Sequence, residues 1–274
     1  ASISNCYNTG TVSGYYAGGI VGSGSNNSAS QRDTITIYDC YNTGDITATD
    51  GVAGGIVAYR GQHESVLEIY NCYNRGNVTG ATSAAGILYN VNGSIQNCYN
   101  TGTVAVTGSG RVVLIGRALS GCTPSFVNCY SLAQDGKELV NTDDATSSTV
   151  ENVTTLTQGQ LNGTEAVDLT VNGTQYTTII EALNAGKFYA AHSDWARIEG
   201  YNDNYPMISN NTGALSDTIY FSPSSGNDAN YGLTADTGVK TFDRAAALVK
   251  DGGTIYMTER FSISGTQYWS MVSK

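Results

Sequence analysis

The segment NCYNRGNVTG, residues 71–80, is one copy of a motif that recurs through the first half of this chain. The other copies are NCYNTGTVSG (5–14), DCYNTGDITA (39–48), NCYNTGTVAV (97–106) and the shorter NCYSLA (128–133). A cysteine stands second in every copy, and the five cysteines lie 34, 32, 26 and 31 positions apart. A period of about 20–50 residues is typical of stacked repeat units or propeller blades.

Two other features keep a constant place in the repeat. An apolar residue stands three positions before each cysteine: Ile3, Ile37, Ile69, Ile95 and Phe126. Behind the motif come GGIVG from Gly18, GGIVA from Gly54, AGILY from Ala85 and VLIGR from Val113. Each repeat thus predicts three short strands. The Trp-Asp signature of propeller blades and the regular leucines of leucine-rich repeats are both missing from the sequence, which argues against these two folds. We expect an all-β fold, a right-handed parallel β-helix (solenoid) whose coils stack about 4.8 Å apart.

The NCYN-x-G and GGIVG motifs resemble the GLUG-type repeats of large Gram-positive bacterial surface proteins. That group includes adhesins and the non-catalytic regions of some IgA-type proteases. The resemblance covers residues 1–134 and extends through Ala182–Ile208, which resembles the closing segment of such arrays. The fourth copy lacks its glycine pair and the fifth lacks the Gly-Ile-Val strand, so we expect the repeat β-helix to end near residue 134.

Two further parts follow the repeats. Residues 135–215 predict a small mixed α/β capping segment, with a helix over Thr177–Ala185 and a strand in AVDLTVNG, residues 166–173. Residues 216–274 have the order strand, turn, helix, strand, which resembles the start of a pectate-lyase-like β-helix. Because the chain begins inside a repeat, and this new pattern starts close to its last residue, we expect a truncated second module and a larger parent protein.

The helix of the second module has its own predicted details. Phe242, Ala246 and Val249 share one helical face, which is expected to pack inward. Gly252 follows the helical pattern and suits a left-handed C-cap.

The composition narrows the range of partners. Charged residues make up 13% of the chain, about half the usual fraction, and the formal net charge is −10. Because no basic stripe is present to bind phosphates, we expect no nucleic-acid partner. No apolar run approaches the about 20 residues of a membrane span, so we expect no membrane insertion within this segment.

The cysteine spacing allows several kinds of chemistry. No pair has C-x2-C spacing, and His63 and His192 are isolated in sequence, so a zinc site is not expected. A surface protein meets oxidising conditions in which disulfides can form. Cysteines stacked in neighbouring parallel strands, however, have nearly parallel Cβ vectors, and this geometry does not match that of a disulfide. We expect a structural ladder of buried, reduced thiols that pack as small apolar groups: Cys6, Cys40, Cys72, Cys98 and Cys129.

The asparagine before each cysteine has a predicted structural role. Strict strand alternation would place the apolar residue and the cysteine on opposite faces. A left-handed bend at the asparagine would turn both inward, and asparagine tolerates that conformation. Stacked side-chain amides could then hydrogen-bond between repeats. The ladder asparagines are Asn5, Asn71, Asn97 and Asn128, with Asp39 in the remaining copy.

The tyrosine after each cysteine is the candidate ligand-binding residue. Outside the bend, these side chains would form a row along the surface: Tyr7, Tyr41, Tyr73 and Tyr99. A row of exposed rings could stack against sugars or anchor a protein partner. The alternative is that the rings only pack on one another, which the repeat by itself would explain.

Catalytic groups are hard to find in this sequence. No P-loop, Rossmann fingerprint, nucleophile elbow or H-E-x-x-H motif occurs. The acidic residues Asp143, Asp144, Asp194, Glu199 and Asp203 are interpreted as solvated turns, and so are the calcium-like segments 43–51 and 224–230.

We therefore expect a monomeric, non-catalytic scaffold or adhesion module on the bacterial cell surface, without a cofactor. Its expected partner is a host glycan or a host surface protein. The alternative is an accessory, carbohydrate-binding region of a glycoside hydrolase, polysaccharide lyase or IgA-type protease with its catalytic domain elsewhere.

Overall fold

The computed structural model describes residues 1–23, 34–59 and 66–259. The first two repeats contain β1 (Ser2–Ser4), β2 (Tyr7–Asn8), β3 (Val12–Gly14), β4 (Ala17–Gly18), β5 (Val21–Ser23), β6 (Thr34–Tyr38), β7 (Tyr41–Asn42), β8 (Ile46–Ala48), β9 (Val52–Gly54) and β10 (Val57–Tyr59). The next repeats contain β11 (Val66–Tyr70), β12 (Tyr73–Asn74), β13 (Val78–Gly80), β14 (Ser83–Ala85), β15 (Leu88–Val91), β16 (Gly93–Gln96), β17 (Tyr99–Asn100), β18 (Val104–Val106), β19 (Val112–Ala118) and β20 (Ser125–Leu132).

The repeats form a mostly β structure with parallel sheets. One sheet has the order β1-β6-β11-β16-β20-β17-β12-β7-β2, a second β4-β9-β14-β19-β15-β10-β5, and a third β18-β13-β8-β3. Equivalent strands of successive repeats are therefore neighbours, and they pair in register, as in Ile37↔Ile69↔Ile95 and Tyr41↔Tyr73↔Tyr99. The same residue types thus lie above one another along each sheet.

A left-handed bend recurs at the start of each motif. The φ angles of Asn5, Asp39, Asn71, Asn97 and Asn128 lie between 50° and 56°. Across this bend the apolar residue and the cysteine pack in the same buried core, although they are three positions apart. The bend that the sequence predicts is therefore present, and it defines which side chains face inward.

The parallel sheets continue beyond the predicted boundary at residue 134. Strand β21 (Glu138–Asn141) pairs with β19, and β22 (Thr149–Leu156) pairs with β20. Asn152 lies in line with Asn128 and has the same left-handed conformation, with φ of 49°. This strand carries no recognisable motif, because Val153 and Thr154 replace the cysteine and tyrosine.

Residues 157–211 form a mixed segment with two short helices and two antiparallel hairpins. Its elements are α1 (Gln158–Asn162), β23 (Leu169–Val171), β24 (Thr174–Tyr176), α2 (Ile179–Ala185), β25 (Trp195–Ala196) and β26 (Met207–Ile208). The predicted helix is present as α2, and the Thr178 side chain accepts a hydrogen bond from the Glu181 N–H at its start. We call residues 157–211 the covering segment.

The chain divides into two compact units, Ala1–Asn211 and Thr212–Lys274. In the second, β27 (Ser216–Phe221) pairs in parallel with β28 (Val249–Met257), and α3 (Phe242–Leu248) lies between them in sequence. The predicted order of strand, turn, helix and strand is therefore observed.

Two details predicted for α3 are wrong. Its buried residues are Ala245 and Leu248, and not Ala246. These two residues lie three and six positions after Phe242, so this face of the short helix packs toward the strands. Gly252 has φ of 74°, but it lies within β28, where the register shifts; the helix ends at Val249. The left-handed glycine therefore belongs to a strand irregularity and not to a helix cap.

No helix among the described residues is long and apolar enough to cross a membrane.

Candidate functional site

The tyrosines of the motif form a continuous stack. Ring centroids are 5.1 Å apart between Tyr7 and Tyr41, 4.9 Å between Tyr41 and Tyr73, and 5.0 Å between Tyr73 and Tyr99, with planes within 6° of parallel. Tyr130 extends the row by one register position. Parallel pairing at one strand spacing explains this stack, since it places equivalent rings directly above one another.

The covering segment packs against this stack of rings. The Trp195 ring lies 5.9 Å from Tyr73 and 5.6 Å from Tyr99, and the Tyr99 hydroxyl donates a hydrogen bond of 2.6 Å to the Pro206 carbonyl. Leu183 and Ile179 of α2 belong to the same buried cluster. This burial raises the pKa values of the phenols of Tyr73 and Tyr99.

The row as a whole does not fit the predicted role of a ligand platform. Tyr7 is 45% exposed, but Tyr41, Tyr73 and Tyr99 are 4%, 1% and 0% exposed. A sugar ring needs an open aromatic face, but neighbouring rings of the stack lie on the faces of Tyr41 and Tyr73, and Trp195 contacts Tyr73 and Tyr99. Packing of the rings, the alternative considered for the sequence, accounts for their positions.

A buried aspartate joins the covering segment to the repeats. Asp39 accepts hydrogen bonds of 3.0 Å from both the N–H and the hydroxyl of Ser193, and another from the Asn71 side chain. The Asn71 amide also donates to the Ser193 carbonyl at 3.0 Å, and Asn211 donates to the Asp39 carbonyl at 2.8 Å. The one aspartate in the asparagine row is therefore the acceptor for residues more than 150 positions away.

A second contact lies at the surface. Arg75 donates hydrogen bonds of 2.6 Å to both the Asn202 side chain and the Asp203 carboxylate. Its guanidinium lies 4.5 Å from the centre of the Tyr205 ring. The Arg75–Asp203 pair is exposed on the aspartate side, so its net contribution to stability is expected to be about 1 kcal/mol or less.

The cysteines form a column in the interior. Cys40, Cys72, Cys98 and Cys129 are fully buried. The prediction of a buried thiol is wrong for Cys6, which is exposed because it stands at the end of the column, with a neighbouring repeat on one side. All six cysteines lie within the described residues, and no disulfide joins any of them. The Cys40 and Cys72 thiols each donate to the carbonyl two residues earlier, at 3.2 Å. Burial raises the pKa of the Cys72 and Cys129 thiols, which opposes thiolate chemistry there.

Asparagine side chains form two hydrogen-bonded rows. In the predicted row, Asn97 donates to Asn71 at 2.8 Å, and Asn152 donates to Asn128 at 2.8 Å. The Asn97 side-chain oxygen accepts no hydrogen bond from the described residues, so this row is interrupted between Asn97 and Asn128. The other row comprises the asparagines that follow the tyrosines, joined at 2.7 Å per step: Asn8, Asn42, Asn74 and Asn100. Sequence analysis missed this second row, although the second asparagine of NCYN was its signal.

Two exposed aromatic residues, Phe188 and Tyr189, belong to a group that sequence analysis did not identify. We call it the Phe188 corner: Phe188, Tyr189, Tyr70 and His192. Phe188 stacks on Tyr70 at 4.7 Å with planes 2° apart, and Tyr189 stands edge-on to Phe188 at 4.4 Å. His192 lies 5.2 Å from Tyr189 and stacks on Tyr38 at 5.0 Å. Burial lowers the pKa of His192, which favours its neutral form.

The acidic residues noted in the sequence are Asp143, Asp144, Asp194, Glu199 and Asp203. Four of them form ion pairs: Asp143 with Arg111, Asp144 with Arg117, Asp194 with Lys187, and Asp203 with Arg75. Glu199 is exposed. In the calcium-like segments, Asp45 accepts from the Asn77 N–H, and Asp228 accepts from the Lys240 and Thr241 N–H groups. In the described parts of the chain, no three His, Cys, Asp or Glu residues are grouped to hold a metal. His63 lies outside the described residues.

One surface cleft has a volume of about 430 Å³ and is lined by residues 110–112 and 135–138. Three of its four charged side chains, Arg111, Lys137 and Glu138, have partners. Arg111 pairs with Glu138 at 3.5 Å and with Asp143 at 3.2 Å, and Lys137 donates to the Gln134 side chain at 3.0 Å. Few charged side chains of the cleft are therefore available to bind a ligand.

Comparisons with known proteins do not assign this chain to a family. No family description, curated protein or solved structure matches it. The resemblances to GLUG-type repeats and to pectate-lyase-like β-helices therefore stay predictions, and the function is inferred from the geometry above.

Proposed function

We propose that the repeats form a right-handed parallel β-helix of GLUG type, and that residues 216–274 begin a second β-helix. The in-register parallel pairing of each repeat with the next supports coils that wind about one axis. Connections between parallel strands of one sheet are right-handed in about 98% of cases, which supports that hand. An experimentally determined structure with left-handed connections between β6 and β11 would contradict the proposal.

The proposed function is a non-catalytic scaffold and adhesion module of a large bacterial cell-surface protein. The observation that carries this proposal is that the recurring side chains pack and hydrogen-bond within the fold. The cysteines and both asparagine rows join neighbouring repeats, and most of the tyrosine row lies beneath the covering segment. Residues that recur for stacking support a rigid spacer, because each unit in such a protein contacts mainly its neighbours and exposes a long surface.

The alternative is an accessory carbohydrate-binding region of a surface glycoside hydrolase, polysaccharide lyase or IgA-type protease. One observation favours it, namely the half-exposed aromatic rings of Phe188 and Tyr189 on the covering segment. In this reading the catalytic domain belongs to another part of the parent protein.

Surface labelling tests the proposed location and role. Antibodies raised against residues 1–211 should label intact cells of the source bacterium, and external protease should remove the signal. Beads coated with the purified chain should also adhere to host epithelial cells or mucus more than beads coated with albumin. Labelling only after cell lysis would contradict the surface location, and adhesion no greater than that of albumin would contradict the adhesive role.

A further inference from the structure

The Phe188 corner presents two aromatic rings at nearly a right angle. Phe188 is 47% exposed and Tyr189 is 52% exposed, and their planes meet at 85°. Among the described residues, most large side chains of the covering segment are instead buried against the tyrosine row. Two adjacent, half-exposed rings are therefore an exception within this segment.

The rings are held in place from beneath. Phe188 lies flat on Tyr70, which is only 3% exposed and belongs to strand β11. Tyr189 has ring contacts with both Tyr70 and His192. Lys187, which precedes Phe188, pairs with Asp194 and also donates to the His192 carbonyl. A site whose rings are already positioned loses little side-chain freedom on binding.

The size of the corner favours a small ligand. A fully buried aromatic side chain covers about 150–250 Å², so two half-exposed rings offer on the order of 200 Å². A stable protein interface needs about 800 Å² per partner. One or two sugar rings, which have a C–H face and a rim of hydroxyls, match the smaller area.

The charges around the corner favour a neutral ligand. The Tyr70 hydroxyl, which belongs to the ring beneath Phe188, hydrogen-bonds with Glu68 and Ser94. The Asp194 carboxylate is 69% exposed, whereas its partner Lys187 is only 15% exposed. Carboxylates accept hydrogen bonds from sugar hydroxyls, but they repel sialylated or sulfated glycans, as does the net charge of −10.

We propose that the Phe188 corner binds a neutral oligosaccharide, with one sugar ring stacked on Phe188 or Tyr189 and its hydroxyl rim directed toward Glu68 and Asp194. The proposal deepens the adhesive function proposed above and rests on it.

The test uses the whole chain and a glycan array that contains neutral, sialylated and sulfated oligosaccharides. The neutral oligosaccharide with the strongest signal is then titrated by calorimetry. The double variant Phe188→Ala/Tyr189→Ala should weaken binding about ten- to a hundredfold, because it removes two aromatic faces. Tyr189→Phe, which keeps the ring, should retain most of the affinity. The matched control is Tyr15→Ala, since Tyr15 is 58% exposed in the first repeat and its ring contact is with Tyr16.

Three results would overturn the proposal. They are no binding of any neutral glycan, a preference for sialylated or sulfated glycans, or full affinity in a double variant whose circular dichroism and melting match the parent chain. If the double variant keeps its affinity while coated beads still adhere, the adhesive function stands and the site lies elsewhere. If neither glycans nor beads bind, both proposals fail.

Discussion

At the scale of single residues, the second glycine of GGIV and the second asparagine of NCYN form one packing unit. A side chain on Gly55 would overlap both the Gly86 carbonyl and the Asn74 side chain. The glycine of one repeat meets the asparagine of the next, and the fourth and fifth copies depart from this pair in a consistent way. Leu114 stands where the earlier repeats have the glycine, and the smaller Ser131 stands where they have the asparagine. One larger residue is thus accompanied by one smaller residue.

Replacing Gly55 by alanine should lower the free energy of unfolding by about 2–3 kcal/mol, because the added methyl group overpacks a buried site against backbone. Urea denaturation followed by circular dichroism measures this. The control is Gly10→Ala, where the nearest atom lies 3.9 Å from the new methyl group and the change should stay within about 0.5 kcal/mol. Equal stability of the two variants would contradict the close packing of the glycine.

The cysteine column leads to a second prediction at this scale. In native protein at pH 8, a thiol reagent should modify Cys6 quickly and leave Cys40, Cys72, Cys98 and Cys129 almost unmodified. The cause is burial, because the packed core keeps the reagent away from those four thiols. All six should react after denaturation. Fewer than six reactive thiols in fresh, denatured protein would indicate a disulfide.

At the scale of elements, the strands of the motif are too short to be stable alone. Strands β7, β12 and β17 contain only two residues each. Their stability must come from pairing above and below and from the covering segment outside. Because Trp195, α2 and the tyrosine stack belong to one buried cluster, the segment and the strands are expected to fold together.

Replacing Tyr73 by alanine should therefore be costly. It removes a fully buried ring that contacts Tyr41, Tyr99 and Trp195, so unfolding should become easier by about 3–5 kcal/mol. Tyr7→Ala is the matched control, because Tyr7 ends the row and is 45% exposed. Its cost should be below about 1 kcal/mol. Similar melting temperatures for the two variants would mean that the covering segment does not rest on the row in solution.

At the scale of the whole molecule, the first unit extends well past the recognisable repeats. It ends at Asn211, whereas the sequence motifs end near residue 134. The residues between supply β21, β22 and the cover of the tyrosine row. The less regular sequence that follows the repeats therefore completes their buried core.

Truncation tests this dependence. A chain of residues 1–211 should be soluble and unfold cooperatively. A chain of residues 1–134 should aggregate, because it exposes Tyr41, Tyr73, Tyr99 and Tyr130 together with the unpaired edge of β20. Size-exclusion chromatography and thermal melting compare the two. A monomeric, cooperatively melting chain of residues 1–134 would show that the repeats are sufficient alone.

Periodicity in the sequence was enough to predict which residues align. Ile37, Ile69 and Ile95 recur at one position of the motif, and parallel pairing places such residues above one another. The left-handed bend was also predictable, because it depends on the local preference of asparagine. These properties need only neighbouring residues or the repeat itself.

Only the tertiary structure decided whether the tyrosine row is exposed or buried. Whether an outward ring meets water or another part of the chain depends on contacts far apart in sequence. Trp195 lies over 100 positions beyond Tyr73, and no period connects the two. The exposed rings at Phe188 and Tyr189 were likewise beyond prediction, since they lie in the non-repeating segment. Burial is a property of the assembled fold, so a pattern could place the tyrosines outward but could not say what would cover them.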